Sequence, residues 1–318
     1  MTEKFAWVLT EGMAGMVTQA VGLAEAVGLP FEEKVIKLSL PWRWLLPRFW
    51  PRGVAGLAGT SDPLTPPWPD LVISCGRKSV GPALSVKHQS GDRTFAVHIQ
   101  NPHLSSGAFD LIVAATHDRL TGENVVVTKG ALHRTTAARL DAAGAGYRDA
   151  LAAVPRPLTA VLVGGPNRVY RMTPDVMKIF ASKLKAFTEA TGGSLAVTPS
   201  RRTGAENVAA LRAGLKDTAA VIWDGTGDNP YFGYLALADQ IVVTCDSVSM
   251  VSEACATGKP VYVVDLPGGG DKFRQFHDDL RKDGITRPFT GVPEDWHYEP
   301  FDDTARVAAE IQRRMGHA

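Results

Sequence analysis

Short apolar runs built from Val, Ile and Leu recur along this chain. They end in small polar turns, and stretches with apolar residues at helical spacing lie between them. Phe5–Leu9, Leu71-Val-Ile-Ser74, Leu111-Ile-Val-Ala-Ala115, Leu158–Val163, Ile241-Val-Val243 and Val261-Tyr-Val-Val264 are the clearest. Such runs read as buried strands. Neighbouring parallel strands need a crossover of a dozen residues or more, and the intervening segments supply it. The pattern restricts the fold to α/β, with two doubly wound, Rossmann-like parallel sheets. A length of 318 residues is long for one core and natural for two.

The first strand leads through Thr10-Glu-Gly-Met-Ala-Gly15 into a helix over Met16–Val27. Gly28 suits its C-cap, and a strand over Phe31–Leu38 follows. Gly12 and Gly15 do not complete G-x-G-x-x-G, so no dinucleotide fingerprint is present. Strands at Thr94–Gln100 and Asn124–Thr128 continue the first sheet. Residues 134–153 read as one helix interrupted at Gly144 and Gly146. Val154-Pro-Arg-Pro157 is the expected boundary, because two prolines precede a fresh strand. The expected domains are 1–153 and 154–300, with a helix in 301–318 packing back on the first. The two domains are expected to face a cleft.

Residues 41–70 break the alternation with seven prolines and four tryptophans. Leu40-Pro-Trp-Arg-Trp-Leu-Leu-Pro-Arg-Phe-Trp-Pro-Arg52 sets indoles beside Arg43, Arg48 and Arg52. Two readings stand. One is an insertion covering an apolar surface of its own domain. The other is a peripheral membrane contact through residues 41–52, since indoles favour the interface and guanidinium attracts anionic lipid.

A formal net charge of +1 gives no field that recruits nucleic acid. Cys75, Cys245 and Cys255 are scattered, without metal-ligand spacing, and read as buried thiols in a reducing compartment. No DxD motif occurs, so neither a metal nor another cofactor is expected. The amino terminus has no long apolar stretch of the secretory kind, and no run is long enough to span a bilayer. The expected location is cytoplasmic, with the inner face of a membrane as the peripheral alternative.

In open parallel sheets, ligands collect outside the carboxyl ends of the strands. In the second domain those positions hold Gly164-Gly165-Pro166-Asn167, Ser200-Arg201-Arg202-Thr203, Asp224-Gly225 and Asp246-Ser247-Val248-Ser249. Glycines admit close backbone approach, serines donate hydrogen bonds, and arginines offset charge. Ser247 and Ser249 stand where a strand hands over to a helix, so free N–H groups suit a phosphate. Glu253 lies one turn further in, placed for a ribose diol. In the first domain Glu11, Arg77, Lys78, His117 and Asp118 fall near strand ends. Arg77 and Lys78 suit an anion. Glu11 or His117 is the candidate general base.

Asp246-Ser-Val-Ser-Met-Val-Ser-Glu253, followed by Gly258-Lys-Pro260, resembles the nucleotide-sugar signature of GT-B-type glycosyltransferases. Trp7-Val-Leu-Thr-Glu-Gly12, Ile73-Ser-Cys-Gly-Arg-Lys78 and Phe109-Asp-Leu-Ile-Val with His117-Asp118 resemble the ELM-type family named after a plant mitochondrial-fission factor. The resemblance implies a GT-B-like fold and a nucleotide-diphosphate sugar as substrate. It also implies Glu253 on the ribose and draws Gly12, Met250 and Gly269 into the binding set. Metal-independent glycosyl transfer to a lipid or glycan acceptor is the first expectation. A 2-epimerase acting on a nucleotide sugar, or a non-catalytic adaptor that keeps the fold, are the alternatives.

Overall fold

A computed structural model describes residues 3–45, 47–50 and 56–316. The chain divides into two compact units, residues 1–134 with 302–318 and residues 135–301.

The first unit opens with β1 (Ala6–Thr10), α1 (Ala14–Val27) and β2 (Phe31–Val35), then β3 (Leu71–Cys75) and α2 (Val80–Gln89). β4 (Phe95–Ile99), β5 (Leu111–Ala115) and β6 (Val125–Thr128) complete it. The strands form one parallel sheet in the order β2-β1-β3-β4-β5-β6. Alternate side chains feed two cores. Ala6, Val8, Leu71, Ile73 and Cys75 face one layer, and Trp7, Leu9 and Val72 face the other. Burial on both faces explains why these strands read as continuous apolar runs.

The second unit holds α3 (Ala137–Ala145), β7 (Leu158–Val163), α4 (Pro174–Thr191), β8 (Ser194–Pro199), α5 (Ala205–Gly214) and β9 (Ala220–Ile222). α6 (Tyr231–Leu237), β10 (Gln240–Thr244), α7 (Val248–Cys255), β11 (Val261–Val264), α8 (Asp271–Lys282) and β12 (Thr286–Pro288) follow. Its sheet is parallel in the order β12-β11-β10-β7-β8-β9. Two doubly wound parallel sheets are what the alternation of apolar runs implied. α4 begins as its sequence specifies, with the Thr173 hydroxyl accepting from Val176 N–H and Pro174 in the first turn.

The unit boundary lies at 134/135, whereas two prolines had pointed to 153/154. α3, placed by sequence in the first domain, packs on α6 instead. A Cβ at Gly144 would stand 3.2 Å from Ala236, and one at Gly233 would meet the Tyr147 ring at 2.3 Å. Tyr147 also donates to Asp228 C=O and meets Tyr234 edge-on. The stretch is not one helix, since α3 ends at Ala145 and turns follow.

The final helix, α9 (Asp303–Gly316), joins the first unit. Its Asp303 carboxylate accepts from Lys129 and Gly130 N–H, and Val307, Ala308 and Ile311 enter the core beside α1.

His98 on β4 is fully buried beneath α2. Its Nδ1 lies 2.8 Å from Ser74 Oγ, its ring packs on Phe109, and its Nε2 has no partner among the described residues. Burial, aided by the nearby His103, pulls its pKa from 6.5 down to about 3. The unfolded chain takes up this proton near pH 6.5, the folded one only near pH 3. The unfolded state therefore binds more protons across that window, and stability falls as pH drops through it, by roughly 1 kcal/mol per pH unit. His98→Asn, which keeps an acceptor for Ser74, is expected to flatten the acid limb of urea-denaturation midpoints by about one proton. An unchanged slope would show that His98 titrates normally.

Candidate functional site

The carboxyl ends of the second unit's strands are organised around Asp246, just past β10. Its side chain is fully buried. Oδ2 accepts from Gly165 N–H at 2.9 Å and from Arg202 Nη2 at 3.1 Å, and Oδ1 accepts from Thr244 Oγ1 at 2.7 Å. Thr244 Oγ1 in turn accepts from Gly164 N–H. Asn167 donates to Asp246 C=O, and its Oδ1 accepts from Val169 and Tyr170 N–H. The glycines have a different reason from the expected one. A Cβ on Gly164 would lie 2.2 Å from the Asp246 carboxylate, and one on Gly165 would lie 2.3 Å from Arg202 backbone. Protein atoms fill the space on the Cβ side of both glycines. Asp246, Gly164, Gly165, Asn167 and Arg202 form the scaffold of this edge.

α7 starts directly above that scaffold. Ser247 is its N-cap, with the hydroxyl accepting from Met250 N–H at 3.3 Å. The N–H groups of Val248 and Ser249 begin a helix and have no intrahelical acceptor. Ser247 and Ser249 are partly exposed, while Met250 packs against the core. An anion would meet N–H groups and the positive end of the helix here.

Glu253 lies about 9 Å of helical rise beyond Ser247 and is buried. Its Oε2 accepts from the Tyr231 hydroxyl at the start of α6. Burial and then the adjoining carboxylate raise the Tyr231 phenol well above its ordinary pKa, so it stays a donor. The sequence places Glu253 on a ribose and does not pair it with Tyr231. The pair that joins them comes from two helices and leaves no local signal.

Arg201 is exposed and has no carboxylate partner among the described residues. It borders an open hollow of about 240 Å³ with Ser200, Ala205, Trp223 and Asp224. The hollow lies at the ends of β8 and β9, two strand spacings from the start of α7, or about 10 Å. Gly269, expected near a ligand, has φ +106°, and its N–H donates to Val169 C=O. Its loop is stitched to Tyr170 through a bridge at Gly268. Gly258-Lys259-Pro260 precedes β11 and so sits at the opposite edge of the sheet. The Lys259 ammonium donates to Leu235 and Ala236 C=O, capping the carboxyl end of α6, and burial lowers its pKa to about 8.

In the first unit, Glu11 follows β1 and pairs with the Lys78 ammonium while accepting from Lys78 N–H at 3.2 Å. Gly12 beside it has φ +77°. Arg77 does not present its guanidinium to an anion. It donates to Leu45 C=O at 3.0 Å and Arg43 C=O at 3.2 Å. His117 sits in the turn after β5, with Nε2 3.7 Å from Asp118. β1 and β5 are three strand spacings apart, about 14 Å, so the sheet does not set Glu11 and His117 side by side. All three cysteines are buried, and burial raises each thiol, Cys245 to about 11. Among the described residues no group of three His, Cys, Asp or Glu is placed to hold a metal ion.

A family model described as Mitochondrial fission ELM1 matches residues 14–315. The mitochondrial fission protein ELM1 of Arabidopsis thaliana is 37% identical over 274 residues, which cover 78% of this chain and 64% of the plant protein. The chain thus spans just under two thirds of that relative. Among solved structures, the UDP-GlcNAc 2-epimerase from Methanocaldococcus jannaschii matches with a TM-score of 0.58 at 12% identity, over 99% of this chain and 100% of that one. A glycotransferase of kitacinnamycin matches with a TM-score of 0.50 at 9% identity, over 100% and 94%. The fold is the two-domain α/β architecture shared by GT-B-type transferases and nucleotide-sugar epimerases.

Proposed function

The chain belongs to the mitochondrial fission ELM1 family, and we propose that it binds a nucleoside-diphosphate sugar at the carboxyl edge of the second unit's sheet. The observation that carries this reading is the Ser247-capped start of α7, with free N–H groups and the buried Glu253 acceptor along the same helix. The diphosphate would sit on the helix start, the ribose hydroxyls would donate hydrogen bonds to Glu253, and Arg201 would offset charge without a metal ion. The roughly 10 Å from α7 to the Arg201 hollow is a span that an extended nucleoside diphosphate bridges.

The chemistry we propose to test first is rearrangement of the bound sugar, as in a 2-epimerase, whose fold matches more closely than the transferase's. Transfer to an acceptor, with Glu11 or His117 as base, is the second reading, favoured by the signature from Asp246 to Glu253. Incubation with UDP-GlcNAc alone, followed by proton NMR, separates them. A new epimer supports the first reading. Release of UDP only when a glycan or lipid acceptor is added supports the second. A raised melting temperature with neither product marks a binding protein that kept the pocket. No shift with any nucleotide sugar would overturn the proposal.

A further inference from the structure

The segment after β2 behaves in two ways. One part packs inward. Trp50 lies on α2, where a Cβ at Gly81 would stand 2.4 Å from its ring, and its indole N–H donates to Trp42 and Leu45 C=O. The other part is held outward. Trp44 is 73% exposed, Leu40 59% and Phe49 56%, three of the large apolar side chains that this protein leaves in solvent. The turn carrying Trp44 is fastened from beneath by Arg77, whose guanidinium takes the carbonyls of Arg43 and Leu45. Hydrogen bonds from Trp44 N–H to Pro41 C=O and from Ser39 to Gly56 C=O tighten it further. Charge is one-sided as well. From residue 34 to residue 61 the sequence holds Lys34, Lys37, Arg43, Arg48 and Arg52 and no carboxylate. Lys34 is paired with Glu32. Lys37 and Arg43 are exposed and have no ion pair among the described residues. The Arg48 side chain and Arg52 lie outside the described residues.

We infer that this turn is an interfacial wedge by which the first unit docks on an anionic lipid bilayer, Trp44 and Leu40 entering the headgroup region and Arg43 and Lys37 meeting lipid phosphate. Size decides between lipid and protein. Trp44 and Phe49 can bury about 150–250 Å² each and Leu40 less, short of the roughly 800 Å² per partner of a stable protein interface. A bilayer needs only a few interfacial anchors together with cationic charge. A rigidly held turn also enters without a large ordering cost.

Co-sedimentation of the full chain with vesicles tests this. Binding is expected to phosphatidylcholine vesicles containing roughly 30% phosphatidylserine, and to weaken when salt is raised. It should be lost on phosphatidylcholine alone. Trp44→Ala should lower the partition coefficient about tenfold. Arg43→Glu, which shifts two charge units worth about fivefold each, should lower it about 25-fold. Both variants should melt as the wild type does, since each side chain is exposed, and should keep any nucleotide-induced shift in melting. No wild-type binding to anionic vesicles would overturn the inference, as would binding insensitive to salt and to both substitutions. Self-association that Trp44→Ala abolishes, without lipid binding, would assign the surface to a second copy of the chain and overturn it too.

Discussion

Replacing Asp246 by alanine is expected to destabilise the second unit by about 3 kcal/mol, the loss that follows when buried donors are left unpaired. Gly165 N–H and the Thr244 hydroxyl would both lose their acceptor, and the Gly164 turn is tied to the same threonine. For a unit of this size that corresponds to a fall in melting temperature of roughly 6–12 °C. Arg202, the remaining partner, is half exposed, and its guanidinium returns to water at little cost. Arg202→Ala should therefore shift melting by less than about 1 kcal/mol. Calorimetry on both variants gives the check. Equal losses would mean that the ion pair, rather than the backbone hydrogen bonds, is what Asp246 provides.

That ranking bears on how the site reads from sequence. The strands' places along the chain and the edge position were legible, because apolar runs buried on both faces leave a continuous signature, and the residues after them must lie at one edge of a parallel sheet. What occupies each position at that edge was not. Asp246 and Gly164-Gly165 look like ligand contacts in one dimension, since a carboxylate beside a hydroxyl and paired glycines suit a phosphate turn. In space the Asp246 carboxylate fills the room Gly164 leaves, and Arg202 backbone the room Gly165 leaves. Arg77 and Lys259 show the same limit. Each cation sits beside a motif that suggests an anion, and each is spent on backbone carbonyls. The α3 boundary was missed because prolines announce a break in the chain, whereas domain membership follows helix packing, here through Gly144 and Gly233 against α6 and Tyr147. The helix entry at Ser247 was readable because the signal is local: the hydroxyl and the N–H it accepts from are three residues apart.

Glu253 carries the remaining weight. Glu253→Ala is expected to weaken binding of uridine or guanosine diphosphate about 10- to 100-fold, the range for hydrogen bonds to a charged group. A carboxylate offers about four acceptor positions; one of them takes the Tyr231 hydroxyl on Oε2, and burial has already oriented the group along α7. Substitution at either end of the pair then separates two roles. If Glu253 serves the ribose, Tyr231→Phe should change affinity less than fivefold, because the phenol is removed and the carboxylate stays, while Glu253→Ala loses the full amount. If Glu253 serves only to hold Tyr231, both variants should lose similar stability, on the order of 1 kcal/mol for one hydrogen bond, and neither should alter affinity. Isothermal titration of the wild type and the two variants with each diphosphate, beside their thermal melts, decides. Equal affinities across all three proteins would remove Glu253 from the nucleotide site and with it the main support for placing the diphosphate on α7.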